Sequence, residues 1–263
     1  MKVAEQIGVC VPFFERVRRA PSRTLMLDYD GTLAPFTMDR MRAFPYRGIP
    51  ELISKVMRTD TRVVFISGRS ARELLFLSGI HPPPEIWGSH GAERLFADAR
   101  YEVDTPRADH RQVLQTVRHL LMARGLDDRF ESKARSIAVH WRGLSPAQQA
   151  ATEALVRDIC EPLAHDHGME LLPFDGGLEL FAPGKNKGDA VLTILKEAGK
   201  ETAAAYLGDD QTDEKAFRAI KGKGLAVLVR SESRPSLADI WIKPPEELER
   251  FLLDWIRACG AER

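Results

Sequence analysis

The chain has 263 residues, 44% hydrophobic and 29% charged, with Lys plus Arg balancing Asp plus Glu at 38 each. That length can bury one large core or two modest ones, and a formal charge of zero supplies no global field to draw nucleic acid or an anionic membrane surface. Three separated cysteines, Cys10, Cys160 and Cys259, with no CxxC pair, argue against a disulfide framework or a zinc site and predict a cytoplasmic setting.

The first apolar stretch, residues 7–14, is short, follows Glu5 and precedes the basic run ERVRR. It reads as part of an amphipathic helix or packed arm, not a secretory signal. No apolar run approaches the roughly 20 residues of a membrane span. Residues 24–27 (TLML) are a buried strand that stops abruptly at Asp28-Tyr29-Asp30-Gly31-Thr32. A helix over 49–58 follows, then a strand, 63–66 (VVFI), ending in Ser67-Gly68-Arg69. Residues 70–78 read as helix. Strand 85–87 ends in Gly88-Ser89-His90-Gly91, and a hairpin turning at Asp98-Ala99 comes next.

The rhythm then changes. Helix 110–124, strands 130–133 and 137–141, helix 145–167, and strands 169–174 and 178–182 about Asp175-Gly176-Gly177 form an α+β unit of their own. Strand–helix alternation resumes with helix 187–198, strand 203–207 ending in Gly208-Asp209-Asp210, helix 213–220, strands 225–229 and 240–242, and helix 245–258. The expected fold is α/β, a doubly wound parallel sheet interrupted by an inserted α+β domain. Residues 1–105 and 185–263 make the core, and 106–184 the insertion, with Pro106 and Pro183-Gly184 as hinges.

Polar clusters at strand ends point to a ligand site, because open parallel sheets bind ligands at that edge. In Asp28-Tyr29-Asp30 two carboxylates would repel, and one would stay protonated unless a cation neutralised them. Mg²⁺ suits such hard oxygen donors. One Asp can attack phosphorus and the other can shuttle a proton to and from the leaving alcohol. Gly31 permits the sharp turn, and amides beyond it can meet phosphate oxygens. Asp209, Asp210, Asp213 and Glu214 make a second anionic knot that invites a cation. Asp213 and Glu214 also suit a helix N-terminus. Ser67, with the amides of Gly68 and Arg69, can hold a phosphate at a helix start. Lys187 opens a helix, where a cation is unfavourable unless it reaches a carboxylate or phosphate; Lys185 is the alternative nearby.

DYDGTLAP, SGR, KNKGDA and GDDQTDEKAF, in this order, resemble the four motifs of the haloacid dehalogenase superfamily of phosphotransferases. Their fuller forms, with GSHGAE at 88–93, ESKARSIAVHWR at 131–142 and GLELFAP at 177–183, resemble the trehalose-6-phosphate phosphatases, with Trp141 where that family often has Tyr. The resemblance implies an aspartyl-phosphate mechanism with Asp28 as nucleophile, Asp30 as general acid/base, and Ser67 and Lys187 on the phosphoryl group. It implies Mg²⁺ bound by Asp28, by the backbone carbonyl of Asp30 and by Asp209, with Asp210 or Asp213 in support. It makes the insertion a cap whose Glu131, Lys133 and Glu179 read the sugar, beside His90 and Glu93 of the core. His140 and Arg142 read as structural or cap-face residues. A small sugar phosphate is the implied partner, with a functional link to a trehalose-phosphate synthase. Phosphatases of glycosylglycerate or sucrose phosphate and sugar phosphomutases share the core motifs, whereas a silent regulatory domain would lack Asp28 or Asp30.

Overall fold

The apolar runs that stop at polar clusters become parallel strands of one sheet. The structure is a computed structural model describing residues 3–174 and 176–260. In chain order its elements are α1 (Val3–Arg19), β1 (Ser22–Leu27), α2 (Ile49–Met57), β2 (Thr61–Ile66), α3 (Ala71–Ser78), β3 (Glu85–Gly88), β4 (Glu93–Leu95), β5 (Tyr101–Val103), α4 (Ala108–Ala123), β6 (Phe130–Ser132), β7 (Ser136–His140) and α5 (Pro146–His167). The chain continues through β8 (Glu170–Phe174), β9 (Gly177–Phe181), α6 (Lys187–Ala198), β10 (Thr202–Gly208), α7 (Glu214–Ile220), β11 (Leu225–Val229), β12 (Ile240–Ile242) and α8 (Glu246–Ala258). Two compact units result, Met1–Glu102 with Lys185–Arg263, and Val103–Gly184.

The first unit holds an eight-stranded sheet in the order β12-β11-β10-β1-β2-β3-β4-β5. The strands from β12 to β3 are parallel, and β4 returns antiparallel to β3. Side chains of a strand alternate between faces, and both faces are covered. Leu25, Leu27, Ala205 and Leu207 pack with Ile53 of α2, Leu74 of α3 and Leu252 and Trp255 of α8. Met26, Val64 and Tyr206 pack with Val191 and Ile194 of α6 and Phe217 of α7. This is the doubly wound α/β architecture expected from the alternation. From β1 the chain winds through β2 and β3 on one side, and β10 to β12 lie on the other. The order therefore reverses between β1 and β10, and a crevice opens at their carboxyl ends.

Local sequence sets the helix starts behind those ends. Ser70 and Glu73 form a capping box on α3, as Asn186 and Asp189 do on α6. The helix expected from 213 begins with a 3₁₀ turn at Gln211–Asp213, and the α-helix starts at Glu214. Asp210 caps that turn through its side chain, which tightens it.

The second unit has a four-stranded antiparallel sheet, β6-β7-β9-β8. Ile137, Val139, Leu178 and Leu180 face Val117 and Leu121 of α4 and Val156 and Ile159 of α5. The other face carries one cross-strand row, Glu131, Ala138, Glu179 and Leu172. Of the turn expected at Asp175-Gly176-Gly177, Asp175 lies outside the described residues, and Gly176 has φ +79°. Among the described residues no helix is long and apolar enough to cross a membrane.

Candidate active site

Asp28 and Asp209 immediately follow β1 and β10, so the reversal point between these strands sets two carboxylates side by side. The register pairs Leu27 with Leu207, and the Asp28 amide donates to the Leu207 carbonyl at 2.8 Å. Asp28, Asp209 and Asp213 are buried, and each offers an oxygen within 4.8 Å of the others. Close approach depends on glycine at two places. A Cβ on Gly31, whose φ is +77°, would lie 2.2 Å from Asp209 Oδ2. One on Gly208 would lie 2.4 Å from Asp213 Cγ. Both distances are far below van der Waals contact.

Lys187 answers part of this charge. The capped start of α6 buries its ammonium, which donates to Asp28 Oδ1 and to Asp213 Oδ1, both at 2.8 Å. Asp213 also accepts the Tyr206 hydroxyl on Oδ1, and the amides of Asp209 and Asp210 on Oδ2 at 2.9 and 3.0 Å. Each Asp213 oxygen thus already accepts two hydrogen bonds, about the capacity of a carboxylate oxygen. Its position fits an organiser of the loop better than a free cation ligand. Asp210 turns its Oδ1 to the amide and hydroxyl of Thr212.

One ammonium does not neutralise four carboxyls. Burial pushes the Asp28 carboxyl well above the ordinary range; Lys187 opposes this, and Asp213 and Asp210 add to it. Asp209 is likewise held well up, by burial and then by Asp28, Asp213 and Asp210. For Asp210 burial also opposes ionisation, but Lys187 and Thr212 overcome it and hold its carboxyl low. Burial works against the Lys187 ammonium, yet Asp213, Asp28 and Asp210 keep its pKa well raised.

Asp30 stands apart from the carboxylate cluster. Both its oxygens take a guanidinium edge, Arg69 Nε to Oδ2 and NH2 to Oδ1, each at 2.7 Å. Two of the three Arg69 guanidinium nitrogens are therefore committed to Asp30, whereas phosphate is expected at the Arg69 amide. The remaining guanidinium nitrogen, NH1, is buried without a hydrogen-bond partner, as is the Thr32 hydroxyl. Ser67 is buried at the end of β2, where its hydroxyl accepts from the Arg69 amide at 3.2 Å and its carbonyl accepts from the His90 amide. His90 has φ +57° and lies over Gly68, where a Cβ would come within 2.6 Å of its Nε2. Glu93 does not stand free for a sugar hydroxyl. It is buried, accepting from the Ala71 amide at 2.9 Å and from the Ser89 hydroxyl. It ties the 88–91 turn to the start of α3 and so positions His90.

In the second unit Glu179 is buried and accepts from Lys133 Nζ at 2.9 Å and from the Ser136 hydroxyl. Glu131 is partly exposed in the same row, 3.8 Å from His140 Nε2. His140 also stacks edge-on against Phe174.

The trehalose-phosphatase family profile matches residues 26–241, most of the chain and every core motif. The chain belongs to the trehalose-phosphatase family. It is accordingly a phosphatase, a phosphoric monoester hydrolase. A probable trehalose-phosphate phosphatase 3 of Oryza sativa is 27% identical over 87% of this chain and 68% of its own length. An α,α-trehalose-phosphate synthase of Dictyostelium discoideum is 29% identical over 77% of this chain but only 26% of its own length. Among solved structures, the C-terminal domain of the Candida albicans trehalose-6-phosphate phosphatase superposes with a TM-score of 0.74 at 18% identity, covering 95% of this chain and 96% of that one. At that identity the likeness speaks for the fold.

Within this family member the donor set fits a divalent cation on one direct observation. Asp209 Oδ2 is buried with no hydrogen-bond partner, and its nearest cation is Arg230 NH1 at 4.0 Å. A bare, buried carboxylate oxygen beside Asp28, in a cluster short of positive charge, suits a hard divalent cation. The Asp30 carboxylate is directed to Arg69, which leaves the backbone carbonyl of Asp30 as the group expected at the metal. Sequence reasoning did not pick out Tyr206, whose hydroxyl completes the shell of Asp213. Its one signal is a polar atom in the otherwise apolar run 203–207.

Proposed function

We propose that this chain hydrolyses trehalose 6-phosphate to trehalose and phosphate, with Asp28 as the nucleophile. The observation that carries the reading is the buried Asp28 carboxylate at the strand-order reversal, hydrogen-bonded to Lys187 and beside the unpartnered Asp209 oxygen. An Asp28 oxygen forms a bond to phosphorus as the bond from phosphorus to the sugar oxygen breaks. Asp30 gives that oxygen its proton, and later takes one from the water that attacks the acyl phosphate and frees Asp28. Arg69 holds both Asp30 oxygens in the structure, so one of them must part from the guanidinium to carry that proton. Lys187, Arg69 NH1 and the Ser67 hydroxyl are donors for the phosphoryl oxygens. Mg²⁺ held by Asp28 and Asp209 would supply the remaining positive charge on the phosphoryl group. A functional link to a trehalose-phosphate synthase is supported by the stretch of the Dictyostelium synthase that resembles this chain.

The test is phosphate release from trehalose 6-phosphate, sucrose 6-phosphate, a glucosylglycerate phosphate and p-nitrophenyl phosphate, with Mg²⁺ and with excess chelator. Trehalose 6-phosphate should be fastest, and chelation should abolish every rate. A faster rival sugar ends the substrate assignment; rates indifferent to chelator end the metal assignment.

The same assay separates the duties of the two units. Glu131→Gln and Glu179→Gln should lower kcat/KM for trehalose 6-phosphate about tenfold or more, the effect of one lost charged hydrogen bond. They should leave p-nitrophenyl phosphate, which has no sugar, nearly unchanged. Glutamine keeps the size, so Lys133 retains a carbonyl acceptor at 179. Equal losses on both substrates would make the row structural.

A further inference from the structure

The loop after β11 reaches back to the acidic turn after β10, and one of its side chains grips that turn. Arg234 donates through Nε to the Asp209 carbonyl at 3.2 Å and through NH2 to the Asp210 carbonyl. Its NH1 meets Glu214 Oε1 and the Pro235 carbonyl. Glu214 gathers the same loop, accepting from the Ser236 hydroxyl and the Leu237 amide, each at 2.8 Å. Arg230 adds a longer bond to the Asp209 carbonyl at 3.5 Å.

These contacts complete a two-sided hold. The amides of Asp209 and Asp210 point to Asp213 Oδ2, and the carbonyls of the same two residues point to Arg234. The peptide between 209 and 210 is therefore pinned at its N–H and at its C=O. A planar peptide held at both ends cannot rotate, so the backbone angles on either side of it are fixed. Those angles decide where the Asp209 carboxylate points. A cation ligand displaced by about 1 Å loses much of its worth, since site geometry tolerates only about 0.5 Å.

We propose that Arg234 is a positioning residue for the phosphatase reaction, holding the 209–210 peptide so that Asp209 Oδ2 stays bare and directed at a divalent cation. The proposal rests on the metal reading above. A planar guanidinium suits this role because it serves three carbonyls and a carboxylate at once, whereas an ammonium is a single point of charge.

The experiment is direct Mg²⁺ binding by calorimetry on the full chain without substrate, for wild type, Arg234→Ala and Arg234→Lys. Wild type should bind. Arg234→Ala should bind about tenfold or more weakly, one charge-assisted hydrogen bond's effect, and Arg234→Lys should fall between. The Mg²⁺ concentration for half-maximal phosphate release should rise in the same order, while KM for the sugar phosphate at saturating Mg²⁺ stays near wild type. A purely structural role would lower the melting midpoint without moving Mg²⁺ affinity. If Arg234→Ala does not fold, Arg234→Lys decides. Wild type that binds Mg²⁺ alongside variants that bind equally well overturns this proposal alone. Wild type that takes up no Mg²⁺ overturns the metal reading and this proposal together.

Discussion

Asp28→Asn should cut turnover of every phosphate ester by at least about 10⁴-fold, the scale of losing a covalent nucleophile. An amide cannot form the acyl phosphate. The substitution is nearly isosteric, and its carbonyl oxygen can still accept from Lys187. The ammonium also keeps Asp213 at 2.8 Å. Removing a carboxylate from a cluster whose members repel one another relieves strain in the cation-free state, since Asp213 and Asp210 both oppose ionisation of Asp28. The variant should therefore unfold in urea no earlier than wild type and keep its circular dichroism spectrum. Substantial turnover by a natively folded Asp28→Asn would remove Asp28 from the nucleophile's role.

Lys187→Met has the larger structural effect. Lys187 is the buried cation between Asp28 and Asp213. Taking away one partner of a buried ion pair typically costs about 3–5 kcal/mol, because the charge left behind is unpaired. Activity should vanish, and cation-free stability should fall by roughly that amount at neutral pH. The pH dependence follows from the sign of each shift. Asp28 is already raised, and losing Lys187, which opposes that rise, lifts it further. The folded variant then keeps a proton that the unfolded chain gives up above about pH 4. Its stability falls as pH climbs past that value. Wild type shares that fall until its own raised Asp28 carboxyl ionises, and the variant's fall runs on to higher pH, so between about pH 5 and 7.5 the penalty never shrinks and grows from the point where the wild-type carboxyl has ionised. The raised Lys187 of wild type gives its full contribution below the ordinary lysine pKa, and the lowered Asp210 gives its own above the ordinary carboxyl pKa. Both are therefore constant across this window. Urea midpoints that are equal to wild type, or that differ more at the acid end, would contradict the electrostatic account.

The α/β class was legible because short buried strands alternate with helices through most of the core, a rhythm that periodicity alone reveals. The switch of architecture in the middle was legible for the same reason: the order changes to helix, two strands, helix, two strands. Pairings across loops were not. Arg69 finds Asp30 across 39 positions, and Glu93 finds the Ala71 amide across 22. Neither spacing carries a period, and each pairing depends on how two strand ends lie side by side. Asp213 shows the limit most clearly. As a letter it is one more acid in GDDQTDE, equally suited to a metal or a helix start. Only the turn after β10 decides that its oxygens are filled by Lys187, Tyr206 and two amides. Arg234 left no trace in the sequence, since a lone arginine in a polar loop reads as solvated surface.

The claim on which the rest depends is that phosphorus is transferred to Asp28. Brief reaction with trehalose 6-phosphate and Mg²⁺, acid quench and borohydride reduction would convert an acyl phosphate to an alcohol, which peptide mass spectrometry can place. Reduction is expected at residue 28, dependent on substrate and absent from Asp28→Asn. Reduction at Asp30 or Asp209 instead, or none at any carboxyl under conditions that accumulate enzyme-bound phosphate, would contradict it.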